Sequence, residues 1–99
     1  MTIEDWRVEI DALDDELLRL LNARAELAIK VGESKRSAGL SVRDGARERE
    51  VIERARRANA GPLDAQAVAR IFRRIIHESR RAEAHALGQA GAVAEGALR

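Results

Sequence analysis

The sequence predicts an all-α protein, a chain of three helices, long, short and long, that pairs with a second chain. Three observations lead there. The only aromatics are Trp6 and Phe72 and β-branched residues are sparse, while Ala, Leu, Glu and Arg are plentiful, a composition that favours helix over sheet. Apolar residues recur at alternating spacings of four and three from Trp6 to Val31, the period of a helix seam. Turn signals around Gly39 and at Asn59-Ala60-Gly61-Pro62 divide the chain into three segments.

The first helix is predicted over about 2–36. Thr2, Ile3, Glu4, Asp5 has the form of a capping box, and no Gly or Pro follows until Gly32. Its seam runs Trp6, Ile10, Leu13, Leu17, Leu20, position 24, Leu27 and Val31. Such a rod measures roughly 50 Å at about 1.5 Å per residue, longer than a globule of this size is wide. Its seam is therefore buried against other long helices or another subunit. Gly32 weakens the rod near its end by about 1 kcal/mol relative to Ala. Ser37-Ala38-Gly39-Leu40-Ser41 reads as a loop. The second helix is predicted over about 43–58, with a thin apolar line through Ala46, Val51, Ile52 and Ala55. The third opens near Asp64, a good N-cap, and runs to about Leu87 with Val68, Ile71, Phe72, Ile75 and Ile76 on one face. Residues 1–87 thus form one helical domain. Residues 88–99, GQAGAVAEGALR, contain three glycines and no heptad and are expected to be a flexible tail.

Charge and size exclude several classes. Lys+Arg 18 nearly cancels Asp+Glu 17, leaving a net charge of +1, without the basic excess or stacking aromatics of a nucleic-acid binder. No stretch approaches the ~18 apolar residues of a membrane span. The acidic start MTIEDWRVEID is unlike a signal peptide, so a cytoplasmic protein is expected. A 99-residue chain without cysteine has no disulfide to supplement a modest core. Help from a second copy is expected on those grounds.

Polar residues interrupt the apolar seams. Arg24 sits among Leu20, Leu21, Leu27 and Ala28, where an unpaired guanidinium costs several kcal/mol, so it needs an anionic partner in the protein or in a ligand. Lys35 lies about 20° around the helix from Arg24 and roughly 16 Å along it, close enough for both to grip one small anion. Arg7 is roughly 25 Å from Arg24 on the same rod. If it serves that site, it comes from an antiparallel partner chain. The plainer reading is a snorkelling or Glu-paired arginine. On the third helix the seam continues onto Ser79 and then Ala82 or Glu83. On the second, Asp44, Arg47, Glu48 and Val51 share a face, which an ordinary row of i,i+4 ion pairs also explains. His77 and His85, eight apart and without Cys, do not suggest a metal. The sequence has no G-x-S-x-G, phosphate loop or dinucleotide fingerprint.

Read as strings, WRVEIDALDDELLRLLNARAELAIKVGESK, SVRDGAREREVIER and LDAQAVARIFRRIIHESRRAEA closely resemble the all-helical chorismate mutases. The resemblance covers about residues 6–86. It rests on the R-x-x-I-x-x-L-D-x-x-L-L-x-L-L opening, V-G-x-x-K, V-R-D-x-x-R-E and I-I-x-x-S in order. It implies an intertwined homodimer with two active sites, no cofactor and no metal, and chorismate, a dicarboxylate, as substrate. Arg24 and Lys35 match the family's carboxylate-binding pair, with Lys35 also reaching the ether oxygen. Arg7 matches the arginine given to the neighbouring site. Asp44, through its backbone, and Glu48 match the residues that hold the ring hydroxyl. Arg47 matches the arginine supporting a carboxylate, and Ser79 the serine near the ring carboxylate. Glu83 stands where many bacterial members have Gln, at the position that meets the ether oxygen.

The implied catalytic set is Lys35, Glu83 and Arg24, acting in phenylalanine and tyrosine biosynthesis. Related helical enzymes remove pyruvate from isochorismate or rearrange 4-amino-4-deoxychorismate, so the ring substituent stays open. So does dependence on a partner enzyme of the pathway. A helical dimerisation module, its polar residues only setting register, is the alternative outside enzymology.

Overall fold

The computed structural model describes the backbone of residues 1–97 and the side chains of residues 1–88. It is all-helical: α1 spans Ile3–Ser37, α2 Gly45–Ala58 and α3 Ala65–Ala97, with no strand among the described residues.

Local chemistry fixes each helix end. Thr2 caps α1: its hydroxyl accepts from the Asp5 N–H at 3.2 Å, and the Asp5 carboxylate accepts from the Thr2 N–H at 2.8 Å. This reciprocal pair satisfies two of the unbonded N–H groups of a first turn. At the other end the Leu40 N–H donates to the Lys35 carbonyl at 2.8 Å and the Gly39 N–H to the Arg36 carbonyl at 3.1 Å, with Gly39 at φ 73. That left-handed glycine turn closes the last turn of α1 immediately around Lys35. α2 begins at Gly45, two residues later than the pattern suggested, because the Asp44 side chain accepts from the Arg47 N–H at 3.0 Å and takes the capping position. The α2–α3 turn is held by the Asn59 amide, which donates to the Leu63 carbonyl at 2.7 Å and accepts from the Gly61 N–H at 3.1 Å. Asp64 then caps α3 through the Ala67 N–H at 2.7 Å.

α3 differs most from expectation. It does not end near Leu87 but continues as helix to Ala97. The alanines at 84, 86, 90, 92, 94 and 97 are the strongest helix formers and offset the glycines among them. Residues 98 and 99, the end of the expected flexible tail 88–99, lie outside the described residues.

α3 is the central element, packing against both α1 and α2. The buried apolar side chains are few: Val68, Ala69 and Ile76. Phe72 and Ile75 are half-buried, whereas Ile71, expected on the same face, is exposed. The chain extends 62 × 31 × 15 Å. Since a helix with its side chains is about 10–12 Å across, this is a single layer of helices. Its radius of gyration of 17.7 Å exceeds the roughly 13 Å of a compact domain of this length. The α1 seam stands open along its length, with Trp6, Ile10, Leu13, Leu17, Leu20, Leu27 and Val31 all at least half exposed.

Candidate active site

A cleft of about 290 Å³ lies where the three helices converge. Each contributes a strip at helical spacing: Arg24, Leu27, Ala28, Val31 and Lys35 from α1, Asp44, Arg47, Glu48 and Val51 from the cap and face of α2, and Ile76, Ser79, Arg80 and Glu83 from α3. Val42 completes the lining from the intervening loop. Apolar and charged side chains share the lining, the usual composition of a pocket that orients a small polar ligand.

Seven of the eight side chains singled out in the sequence meet here: Arg24, Lys35, Asp44, Arg47, Glu48, Ser79 and Glu83. Arg7 does not. It is exposed on the far half of α1 and pairs with Glu4 at 2.8 Å.

The contacts inside the cleft are specific. Arg24 Nη1 donates to the Ser79 hydroxyl at 2.9 Å, joining α1 to α3, and Ser79 is buried. Among the described residues Arg24 bonds to this neutral hydroxyl rather than to the anionic partner it was expected to need. Lys35 Nζ lies 3.7 Å from Asp44 Oδ2, bridging the end of α1 and the start of α2. Asp44 is held below its ordinary carboxylate range first by the Arg47 N–H, which outweighs the opposing effect of burial, and further by Lys35. Arg80 Nη1 meets Glu48 Oε1 at 3.0 Å, joining α3 to α2. Arg47 lines the cleft but turns its guanidinium to Glu50, 2.6 Å away on its own helix. Of the α2 face, Arg47 pairs within its own helix but with Glu50, whereas Asp44 meets Lys35 of α1 and Glu48 meets Arg80 of α3.

Glu83 is the unusual acid. Burial raises its carboxyl above the ordinary value of 4.5, opposed by the nearby charges of Lys35 and Arg80. A carboxyl held protonated donates a hydrogen bond, which an ionised one cannot do. Four cations, Arg24, Lys35, Arg47 and Arg80, and three carboxyls, Asp44, Glu48 and Glu83, line the cleft. Even with all three carboxyls ionised the lining keeps a surplus of positive charge, complementary to an anion.

Two contributors were missed in the sequence. Arg80 follows Ser79 directly and precedes Glu83 by three residues, the spacing that places it on the cleft side of α3. Gly32, read only as a weak point of α1, is the one buried residue of that helix. Among the described residues there is no cluster of His, Cys, Asp or Glu suited to a metal ion, and no helix long and apolar enough to cross a membrane.

Comparison with known proteins places this arrangement. The family described as chorismate mutase type II matches residues 6–84. The bifunctional chorismate mutase/prephenate dehydratase of Aquifex aeolicus is 42% identical over 78 residues, 75% of this chain and 22% of that protein. The Escherichia coli protein of the same name is 45% identical over 74 residues, 74% of this chain and 19% of that protein. The chain therefore spans about a fifth of the length of these curated relatives. A solved structure of chorismate mutase (form II) from Thermus thermophilus superposes with a TM-score of 0.80 at 31% identity, covering 82% of this chain and 92% of that one.

Proposed function

The chain belongs to the chorismate mutase type II family, and on that premise we propose that it catalyses the rearrangement of chorismate to prephenate, in the cytoplasm, as a step of phenylalanine and tyrosine biosynthesis. The observation that carries this reading is the convergence of Arg24, Lys35, Ser79, Glu48 and Glu83 on one cleft.

The chemistry needs little else. One C–O bond breaks as one C–C bond forms within the same molecule, so no nucleophile, base or cofactor is required. Arg24, Arg47 and Lys35 clamp the two carboxylates and keep the reacting ends together, an orientation effect. Negative charge grows on the ether oxygen as the C–O bond stretches. Lys35 and protonated Glu83 are the donors that meet it, the preorganised electrostatic contribution. Ser79, already bonded to Arg24, serves the ring carboxylate. Glu48 and the backbone at Asp44 hold the ring hydroxyl.

The working unit is a homodimer. A single layer of helices with an open apolar α1 seam lacks the second layer around which a stable core forms. An antiparallel second copy supplies that layer. It also carries Arg7 of the partner subunit to the cleft, which lies the required roughly 25 Å along the rod. Because the matched relatives are named as mutase and prephenate dehydratase together, an enzyme that consumes prephenate is the proposed pathway partner.

One assay tests the reading: purified protein is mixed separately with chorismate, isochorismate and 4-amino-4-deoxychorismate, and loss of each is followed. Chorismate should disappear with stoichiometric appearance of prephenate. Preferential loss of either analogue reassigns the substrate, and loss of none removes the catalytic reading.

A further inference from the structure

We propose that Gly32 is a positioning residue for Glu83, its missing side chain leaving the recess on α1 in which the Glu83 carboxyl is seated. The inference rests on the reading of Glu83 as a donor to substrate and extends it to a residue that touches no substrate.

The other two glycines at turns have a backbone reason to be glycine. Gly39 and Gly61 have φ of 73 and 84, and nothing lies within 4 Å of where a Cβ would stand. Gly32 is the reverse case. It sits inside α1, where glycine is a poor helix former, and its reason is spatial. A Cβ at position 32 would lie 3.3 Å from Glu83 Oε2, 3.4 Å from Cδ and 3.6 Å from Cγ. The three nearest atoms all belong to this one side chain.

The pattern on α1 explains the fit. Arg24, Ala28, Gly32 and Lys35 follow one another at spacings of four, four and three, so two long cations bracket two small residues on one face. Across the interface, Ser79 and Glu83 are one turn apart on α3. Ser79 meets Arg24 and Glu83 drops into the gap before Lys35. The groups facing the carboxyl come from every side: Lys35 from α1, Arg80 from α3 and, through its bond to Arg80, Glu48 from α2. Seated against α1 at Gly32, the carboxyl is shielded from water on that side. A side chain at 32 lifts it toward solvent and away from the position where charge develops in the reaction.

The test is the graded series Gly32→Ala and Gly32→Val. Alanine requires Glu83 to give by a few tenths of an ångström, and valine displaces it outright. Thermal stability of Gly32→Ala should be unchanged or higher, since alanine is the better helix former. The rate should move the other way: kcat falls about 10-fold for Ala and on the order of 10²-fold for Val, the scale that misplacement of a reacting group produces. KM changes little, because the lost contact forms only in the transition state. The alkaline limb of the kcat–pH profile should move to lower pH as the carboxyl regains water. In a Glu83→Ala background, Gly32→Ala should have no further effect, because nothing is left to displace.

Titration of the 13C-labelled Glu83 carboxyl by NMR gives a readout independent of turnover. A drop of its midpoint toward 4.5 in Gly32→Ala supports the seating. If the wild-type protein turns over no chorismate but the midpoint drops, the seating stands and the proposed function falls. If the wild type is active, an unchanged midpoint overturns the inference, and so does an unchanged kcat. Should the valine variant fail to fold, the alanine variant alone decides.

Discussion

Two inactive variants should restore each other. Within one chain Arg7 binds Glu4, on a part of α1 roughly 25 Å from Arg24, while Lys35 lines the cleft formed by its own three helices. If each cleft is completed by Arg7 of the partner subunit, Arg7→Ala damages the neighbouring site and Lys35→Ala damages its own. Each homodimer is then defective at both sites. Lys35→Ala should lower kcat/KM by at least about 10²-fold, as loss of an oxyanion donor does. In a heterodimer of the two, one cleft has lost both groups and the other has an intact Lys35 and an intact Arg7. Random pairing makes about half of all dimers mixed, each with one sound site, so about a quarter of wild-type activity returns. The assay is chorismate consumption by the two variants, measured separately and after joint unfolding and refolding at equal concentration. A mixture no more active than the mean of its components, with subunit exchange verified by differently tagged chains, would falsify the shared site.

Other perturbations test separate parts of the argument. Leu17 is 53% exposed in the single chain; burying that half is worth about 1 kcal/mol per copy, so Leu17→Ala should weaken a symmetric dimer by about 2 kcal/mol, or about 30-fold in Kd. Sedimentation at a series of dilutions measures this, and an unchanged dissociation constant places Leu17 outside the interface. Glu83→Gln should abolish the alkaline fall in kcat, because an amide donates at any pH; a fall that persists removes Glu83 as the donor. The same variant has a stability signature. With its folded pKa raised, the stability Glu83 contributes is fully present below 4.5 and lost as pH rises through the folded value. Glu83→Gln should therefore gain stability relative to wild type above that window and converge with it in acid, as read from Tm against pH. Asp44 behaves oppositely. Its carboxyl is held below 3.8, so its contribution is present above 3.8 and lost as pH falls through its folded value. Asp44→Ala should lower Tm at neutral pH and leave acid stability nearly unchanged; equal losses at both pH values refute the capping role.

Most of the fold was legible because the signals were local. The capping box at Thr2 and Asp5, the glycine turn at Gly39 and the cap at Asp64 each lie within a few residues of the structure they cause. α2 starts later than its pattern predicts because Asp44, which lies on the helix face by spacing, serves as its cap. α3 outruns its expected end because the helix propensity of the alanines offsets that of the glycines between them. In the site, Arg24, Ser79 and Glu83 stood out as polar residues in apolar seams, a signal carried by the residue itself. Arg80 and Gly32 carried no such signal. One is an ordinary charged residue and the other an ordinary helix defect, until α3 is laid against α1 and α2.

The same distinction bears on the 35% charged composition. Along α1 the pairs Arg7–Glu4 and Arg19–Glu16 are neighbours in sequence and exposed, and such pairs contribute little to stability. In the cleft the pairs cross between elements, Lys35 to Asp44 and Arg80 to Glu48, and they leave Arg24 with a hydroxyl in place of a carboxylate. A fold optimised for stability alone would give a guanidinium in an apolar seam an acid to bind. Glu83 is within the same cleft yet held toward its neutral form by burial. The cleft thus keeps a surplus of positive charge that the near-neutral whole chain conceals, and a dianionic substrate supplies the missing counter-charge.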